Sequence, residues 1–408
     1  MTDSILPHHT ALPVSSRGVA SSRTILLQLL RRVRGGTIVL VEGEHERRFG
    51  DGDPEVRLFV HDPRAFASVL RHGNIGVGSS YINAWWDCDD LTGLVRWLSR
   101  ATEPARRRLD ALVAVAAPIV DPVARLRRRD RAEDRRNVHA HYDLGNDFYT
   151  LMLDETMTYS CALFEYAGQS LADAQRAKLR AVCGRAGLSA GDRVVEIGSG
   201  WGAFAVTAAA SYGCEVTTTT ISAAQHTYVS KLVAEAGLSD RVTVLDDDYR
   251  DLAGTFDHLV SIEMIEAVDW RDHDTYFGTC ARLLRPGGTA LIQAIVIDDT
   301  SFERAKRHDD FIRRRIFPGG CLPSKRLITT LARRSGLEVT TVADIGEHYP
   351  ETLRRWRANV RRYDEEVARL GWDARARREW DMYLAYCEAA FLEGHITAVQ
   401  VVLRRPAG

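Results

Sequence analysis

The residues best equipped for chemistry lie in Glu196-Ile197-Gly198-Ser199-Gly200-Trp201-Gly202, a carboxylate followed by glycines at alternate positions. Glycine allows positive φ and lets the backbone pass close to a ligand. The G-x-G-x-G spacing differs from the G-x-G-x-x-G of dinucleotide sites, and no Lys-Ser/Thr pair follows it, which excludes a P-loop. A carboxylate at this point suits a ligand with a cationic amino-acid end, of which S-adenosylmethionine is one. A simple tight turn between strand and helix accounts for the same glycines. Downstream, Thr220-Ile221-Ser222 and Gln225 offer hydroxyl and amide groups, and Asp247-Asp248-Tyr249 offers a carboxylate for an adenine amine. Singly, these read equally well as helix caps. Following successive predicted strands in order, they read as one nucleoside site at the carboxyl ends of a sheet.

The elements that must position these groups follow from hydrophobic patterning. Strands are predicted at 193–197, 215–220, 242–245, 258–262 and 290–297, with helices between them, for example 223–235 and 275–284. Such alternation predicts a parallel sheet covered by helices on both faces. Two further strands, 339–342 and 397–403, flank a helical insertion at about 350–392. Upstream, β-rich runs at 37–41 and 56–60 are separated by the turn residues Gly50-Asp51-Gly52-Asp53-Pro54. A helix at 63–71 and a Gly-rich stretch (Gly73, Gly76, Gly78) then lead to Trp85-Trp86, the pattern of a small α+β domain. The expected organisation is a flexible 1–20, a small domain at 21–100, an Arg-rich helical linker at 101–138 and an α/β domain at 139–408.

Composition sets the limits. Of 408 residues 45% are hydrophobic and 27% charged, which excludes a mainly disordered chain. Lys+Arg at 54 against Asp+Glu at 55 excludes a globally basic nucleic-acid binder. Only Lys178, Lys231, Lys306 and Lys325 are lysines; codon bias explains this, and so does a need for Arg forks that grip phosphate. Residues 101–136 hold 10 Arg against six acids. They read either as a solvated helical linker or as an interfacial segment on anionic phospholipid, each Arg there contributing about 1 kcal/mol. Seven cysteines without a C-x-x-C pair, and no secretory or membrane-spanning pattern, point to a cytoplasmic chain with free thiols and no metal.

Several ordered motifs resemble a known family. They are His141-Tyr142-Asp143-Leu144-Gly145-Asn146-Asp147-Phe148-Tyr149, Met157-Thr158-Tyr159-Ser160-Cys161-Ala162-Leu163-Phe164, the 196–202 loop, and Ile316-Phe317-Pro318-Gly319-Gly320-Cys321-Leu322-Pro323-Ser324. Over about 139–404 they resemble cyclopropane-fatty-acyl-phospholipid synthases and mycolic acid methyltransferases. Gly76-x-Gly78 and Trp85-Trp86 resemble the extra domain of the longer, phospholipid-acting members. The resemblance implies a Rossmann-like class I methyltransferase domain with a helical insertion, plus a small N-terminal α+β lipid-type domain. It implies methyl transfer from S-adenosylmethionine to the cis double bond of an unsaturated phospholipid acyl chain. The resulting carbocation then loses a proton to a bound bicarbonate and closes a cyclopropane. The partners implied are such acyl chains and an anionic membrane surface at the inner face of the plasma membrane, without nucleic acid; a homodimer is left open.

Carried over by motif, Tyr159, Ser160, Glu196, Gly198, Gly200, Gly202, Thr220, Ile221, Gln225, Asp248 and Tyr249 are expected at the cofactor. Cys161, Glu266, Gln293, Ile295 and Tyr349 are expected around the bicarbonate, with Cys161 serving through its backbone. Glu263, just before Glu266, reads as structural. The family often has His where this chain has Gln293, and Phe-Glu-His-Val-Gly where it has Ile265-Glu266-Ala267-Val268-Asp269. Glutamine hydrogen-bonds an anion but does not titrate near neutrality. The departure opens a second product, an exocyclic methylene, from the same cation.

Overall fold

The structure, a computed structural model, describes residues 16–31, 35–104, 107 and 145–407. Residues 1–15, most of the Arg-rich 101–138 segment and His141 to Leu144 of the first motif lie outside the described residues. The chain forms two compact units. One comprises Met1–Leu112, His308–Ile316 and Leu353–His395; the other comprises Val113–Arg307, Phe317–Thr352 and Ile396–Gly408.

The first unit holds strands β1 (Gly36–Glu42), β2 (His45–Asp51), β3 (Glu55–Val60) and β4 (Trp86–Cys88) in the order β2-β1-β3-β4. Only the β1–β3 pair is parallel. β1 and β3 match the apolar runs read from sequence. β2 is an edge strand whose exposed charged residues, as in His45-Glu46-Arg47-Arg48, hide it from a hydrophobicity pattern and guard the edge against further pairing. The Gly-rich stretch is helical, inside Arg64–Ile82, with a kink at Gly73 where φ is +55°. Its glycines serve close approach: a Cβ at Gly76 would lie 2.1 Å from the Ser68 carbonyl, and one at Gly78 2.4 Å from the Phe311 ring. The helices of the 353–395 segment belong to this unit. Asp381 ties them in by accepting from the Tyr81 hydroxyl at 3.0 Å and from Arg357 at 2.7 Å.

The second unit holds β5 (Arg193–Ile197), β6 (Glu215–Thr219), β7 (Val242–Leu245), β8 (Phe256–Ile262), β9 (Leu284–Ile297), β10 (Glu338–Asp344) and β11 (Ile396–Arg404). Their order is β10-β11-β9-β8-β5-β6-β7. The β9-β8-β5-β6-β7 portion is parallel, and β11 and β10 join antiparallel, so the α/β sheet predicted from alternation is the one formed. Period-2 alternation builds the core on both faces. Val195, Leu259 and Ile292 pack with Tyr276 and Phe277 of helix His273–Leu283. Val194, Val260 and Leu291 pack with Leu179 and Val182 of helix Leu171–Ala186. Each such fully buried side chain contributes about 1.5–3 kcal/mol. Strand order reverses beside β5, between β6 and β8, and a ligand crevice is expected at the carboxyl ends there.

Candidate active site

The loop after β5 opens into a cavity at that point. Gly198 (φ +92°) and Gly200 (φ +50°) carry the chain through it in conformations that L side chains avoid. Ten of the eleven residues expected at the cofactor line the cavity: Tyr159, Ser160, Glu196, Gly198, Gly200, Thr220, Ile221, Gln225, Asp248 and Tyr249. Gly202 does not. It caps helix Ala203–Tyr212 at φ +89°, and a Cβ there would stand 3.0 Å from Val229. Its glycine answers to helix packing.

The polar lining is largely pre-set by internal hydrogen bonds. Thr220 donates to the Gln225 amide oxygen at 2.7 Å, and Arg250 holds both carboxylate oxygens of Asp248, at 2.8 and 2.6 Å. Glu196 is buried and accepts from the Thr218 hydroxyl at 2.6 Å across the β5–β6 pair. Burial pushes its carboxyl up to about 8.

The groups expected around an anion do converge, but on a residue read as structural. Glu263 follows β8 in a left-handed conformation, φ +51°, and lines the cavity. Its Oε1 accepts from the Cys161 backbone N–H at 3.0 Å and from the Gln293 side-chain amide at 2.9 Å. Its Oε2 accepts from the Tyr349 hydroxyl at 2.7 Å. Gln293 is oriented for this, since its own oxygen accepts from Gln400 at 2.8 Å, and Gln400 in turn accepts from Arg185. Burial raises the Glu263 carboxyl, against the pull of its three donors and of Lys178. Glu266 accepts from the Ile295 N–H at 2.5 Å, but its other oxygen is buried without a hydrogen-bond partner. Burial first, and then the Glu263 charge, push it up to about 8. None of Cys161, Glu266, Gln293, Ile295 or Tyr349 reaches the cavity lining itself.

One functional group escaped sequence reasoning. Lys178, on helix Leu171–Ala186, is fully buried and lines the cavity, donating to the Ser160 hydroxyl at 2.9 Å. Desolvation lowers its ammonium to about 8, while Glu263 and Glu196 favour its charge. The Cys161 thiol is buried beside Glu263 and raised well above the usual thiol range, so it is no nucleophile; its backbone N–H is the useful group.

Two buried carboxyls, Glu196 and Glu263, therefore face one buried ammonium on the cavity, and a third, Glu266, lies buried beside Glu263. Such an excess of acid in a dry site fits a ligand that brings positive charge, as S-adenosylmethionine does at its sulfonium and its amine. A bicarbonate does not fit in the same way: the Cys161, Gln293 and Tyr349 donors expected to hold it already hold the Glu263 carboxylate.

Comparison with known proteins agrees with this geometry. Residues 129–401 match the family described as mycolic acid cyclopropane synthetase. The chain is 37% identical over 396 residues to a tuberculostearic acid methyltransferase of Mycobacterium tuberculosis, covering 95% of this chain and 92% of that protein. It is 34% identical over 358 residues to the cyclopropane-fatty-acyl-phospholipid synthase of Escherichia coli, covering 87% and 89%. A mycolic acid cyclopropane synthase solved with S-adenosylhomocysteine and CTAB matches with a TM-score of 0.62 at 32% identity, over 66% of this chain and 98% of that one. A family match over most of the chain and relatives aligned nearly end to end place it plainly: the chain belongs to the mycolic acid cyclopropane synthetase family and is an S-adenosylmethionine-dependent methyltransferase.

Proposed function

We propose that this chain methylates the cis double bond of an unsaturated phospholipid acyl chain, at an anionic membrane surface. The observation that carries the reading is a carboxylate fixed by three donors inside the cofactor cavity. An amine or hydroxyl acceptor attacks through a lone pair and passes through no carbocation. An alkene that gains a methyl becomes a carbocation, and a fixed negative charge in a dry pocket then stabilises it. When bound, S-adenosylmethionine supplies an electrophilic methyl on sulfur. Gly198, Gly200, Glu196 and Gln225 would hold its ends, and Tyr159 and Trp201, both against Tyr149, would help to exclude water. Loss of a proton from the new methyl, with closure of a C–C bond, gives a cyclopropane.

A second product is favoured by one comparison. The relative named for tuberculostearic acid matches 95% of this chain. A hydride shift within the cation before proton loss gives an exocyclic methylene, the precursor of a mid-chain methyl branch. Both products add one CH2 to the acyl mass, so NMR of the modified lipid, ring protons against an olefinic CH2, separates them.

The test of the reading is incubation with S-adenosylmethionine and vesicles of unsaturated phospholipid. A gain of one CH2 is expected. Cofactor binding with no gain on any such lipid would point to a small-molecule acceptor on the same fold. Among the described residues no helix is long and apolar enough to cross a membrane. Neutralising Arg127, Arg128 and Arg129 should weaken binding to anionic vesicles in a salt-sensitive way and leave cofactor binding intact.

A further inference from the structure

We propose that Glu263 is the built-in base of this enzyme, taking the place of a dissolved anion. The inference rests on the acyl-methylation reading above. Glu263 alone of the anion-site carboxylates lines the cofactor cavity, and both its oxygens are satisfied by donors from three separate segments. Those donors, the Cys161 N–H, the Gln293 amide and the Tyr349 hydroxyl, are the ones a free bicarbonate would need. The Gln293 side chain is locked toward Glu263 by Gln400 and Arg185 behind it. The backbone carries strain to put the carboxylate there: a non-glycine residue at φ +51° costs about 1–2 kcal/mol. Lys178, buried on the same cavity, supplies the balancing charge.

The chemistry asks little of the base beyond position. Hydrogens next to a carbocation are strongly acidic, so a carboxylate of ordinary basicity suffices if it is held in a dry pocket. A C–H bond of the transferred methyl breaks, and its electron pair forms the ring bond or, after the hydride shift, the exocyclic double bond. The proton goes to Glu263, which becomes a neutral carboxylic acid and returns the proton to solvent before the next turnover. No exogenous anion takes part.

The experiment compares wild type with Glu263→Gly in CO2-stripped buffer and in the same buffer with bicarbonate. Wild-type turnover on unsaturated phospholipid vesicles should be equal in both. Glu263→Gly should lose about 100-fold or more in stripped buffer and recover about 10-fold or more with bicarbonate, because the three donors are then free to hold it. Glycine suits φ +51°, so the variant should fold, and its melting temperature with S-adenosylhomocysteine checks this. Independently of turnover, carbon-13 bicarbonate should broaden in NMR with S-adenosylhomocysteine-bound Glu263→Gly and stay sharp with wild type. Wild-type turnover that collapses on stripping and returns with bicarbonate, or a bicarbonate signal broadened by wild type, overturns the proposal. So does full activity of Glu263→Gly in stripped buffer. Absence of any lipid product from wild type sinks the acyl-methylation reading instead, while the NMR arm still decides whether the anion site is filled by Glu263.

Discussion

Glu196 should make cofactor affinity depend on pH in a way that its amide variant abolishes. The carboxyl lies at the end of β5 with one hydrogen bond, from Thr218, and burial raises it to about 8. A cationic ligand end is held by the ionised form. Ionising it costs about 1.4 kcal/mol for each unit below that value, hence about 2.7 kcal/mol at pH 6 and little at pH 8. A hydrogen bond to a charged partner returns about 1.5–3 kcal/mol. At pH 6 the two nearly cancel, so wild type and Glu196→Gln should bind S-adenosylhomocysteine with similar affinity. At pH 8 the cost is gone, and wild type should bind about 10- to 100-fold more tightly. Lys178, Glu263, Glu266 and the ligand's own amine titrate in both proteins and drop out of the ratio. Calorimetry from pH 6 to 8, in buffers of different ionisation enthalpy, should also count about one proton released by wild type near pH 6.5 that the variant does not release. A ratio that stays flat with pH, or equal proton release by both proteins, would refute the argument that this carboxyl is buried neutral and ionised by the ligand.

Further outcomes follow from the same buried charges and from packing. In the ligand-free protein Glu196 and Glu266 keep protons that the unfolded chain releases between about 4.5 and 8, so their contribution to stability falls as pH rises through that window. Denaturant unfolding at several pH values should show this fall, and Glu196→Gln should flatten it; equal slopes in both proteins would count against it. Lys178→Met leaves the Ser160 hydroxyl and the surrounding carboxyls without their cation and should cost about 3–5 kcal/mol, read as a shift in denaturant midpoint. Gln400→Leu frees the Gln293 amide to turn from Glu263. About 1–3 kcal/mol of lost hydrogen bonding should appear as a 5- to 150-fold fall in kcat with cofactor affinity retained. Gly202→Ala meets Val229 at φ +89° and should destabilise by about 1–3 kcal/mol while sparing the lining of the site; an unchanged midpoint would contradict the packing role.

The parallel sheet was legible because each strand is a short apolar run bounded by turns, and much of the cavity lining because it follows those strands in sequence order. β2 was not legible, since an edge strand of His, Glu and Arg has no hydrophobic period. The allegiance of residues 353–395 was not legible either. It depends on contacts such as Tyr81 with Asp381, 300 residues apart, which no local pattern encodes. The convergence of donors on Glu263 was hidden for a related reason. Its three donors come from three distant stretches, and its direction is set by a positive φ that the sequence does not announce for a glutamate.

The arginine excess holds the signal that would have found Lys178. When 50 of 54 cations are Arg, the four lysines are few enough to weigh one by one. Two of the four lysines are exposed enough for either cation: Lys231 pairs loosely with Glu235, and Lys325 with Asp344 at 2.7 Å. Lys178 and Lys306 are not, being buried at 0% and 5% exposure. Lys306 packs its ammonium over the Trp270 and Phe302 rings and pairs with Glu303 at 2.9 Å. At Lys178 the difference is chemical. A guanidinium never gives up its charge, whereas burial lowers this ammonium to about 8, against the pull of Glu263 and Glu196. On the proposal that Glu263 takes the proton, a site that receives a cation and releases a neutral thioether needs the buried positive charge of Lys178 to be adjustable. On that argument Lys178→Arg should not rescue what Lys178→Met loses, even though both cations carry the same formal charge at neutral pH.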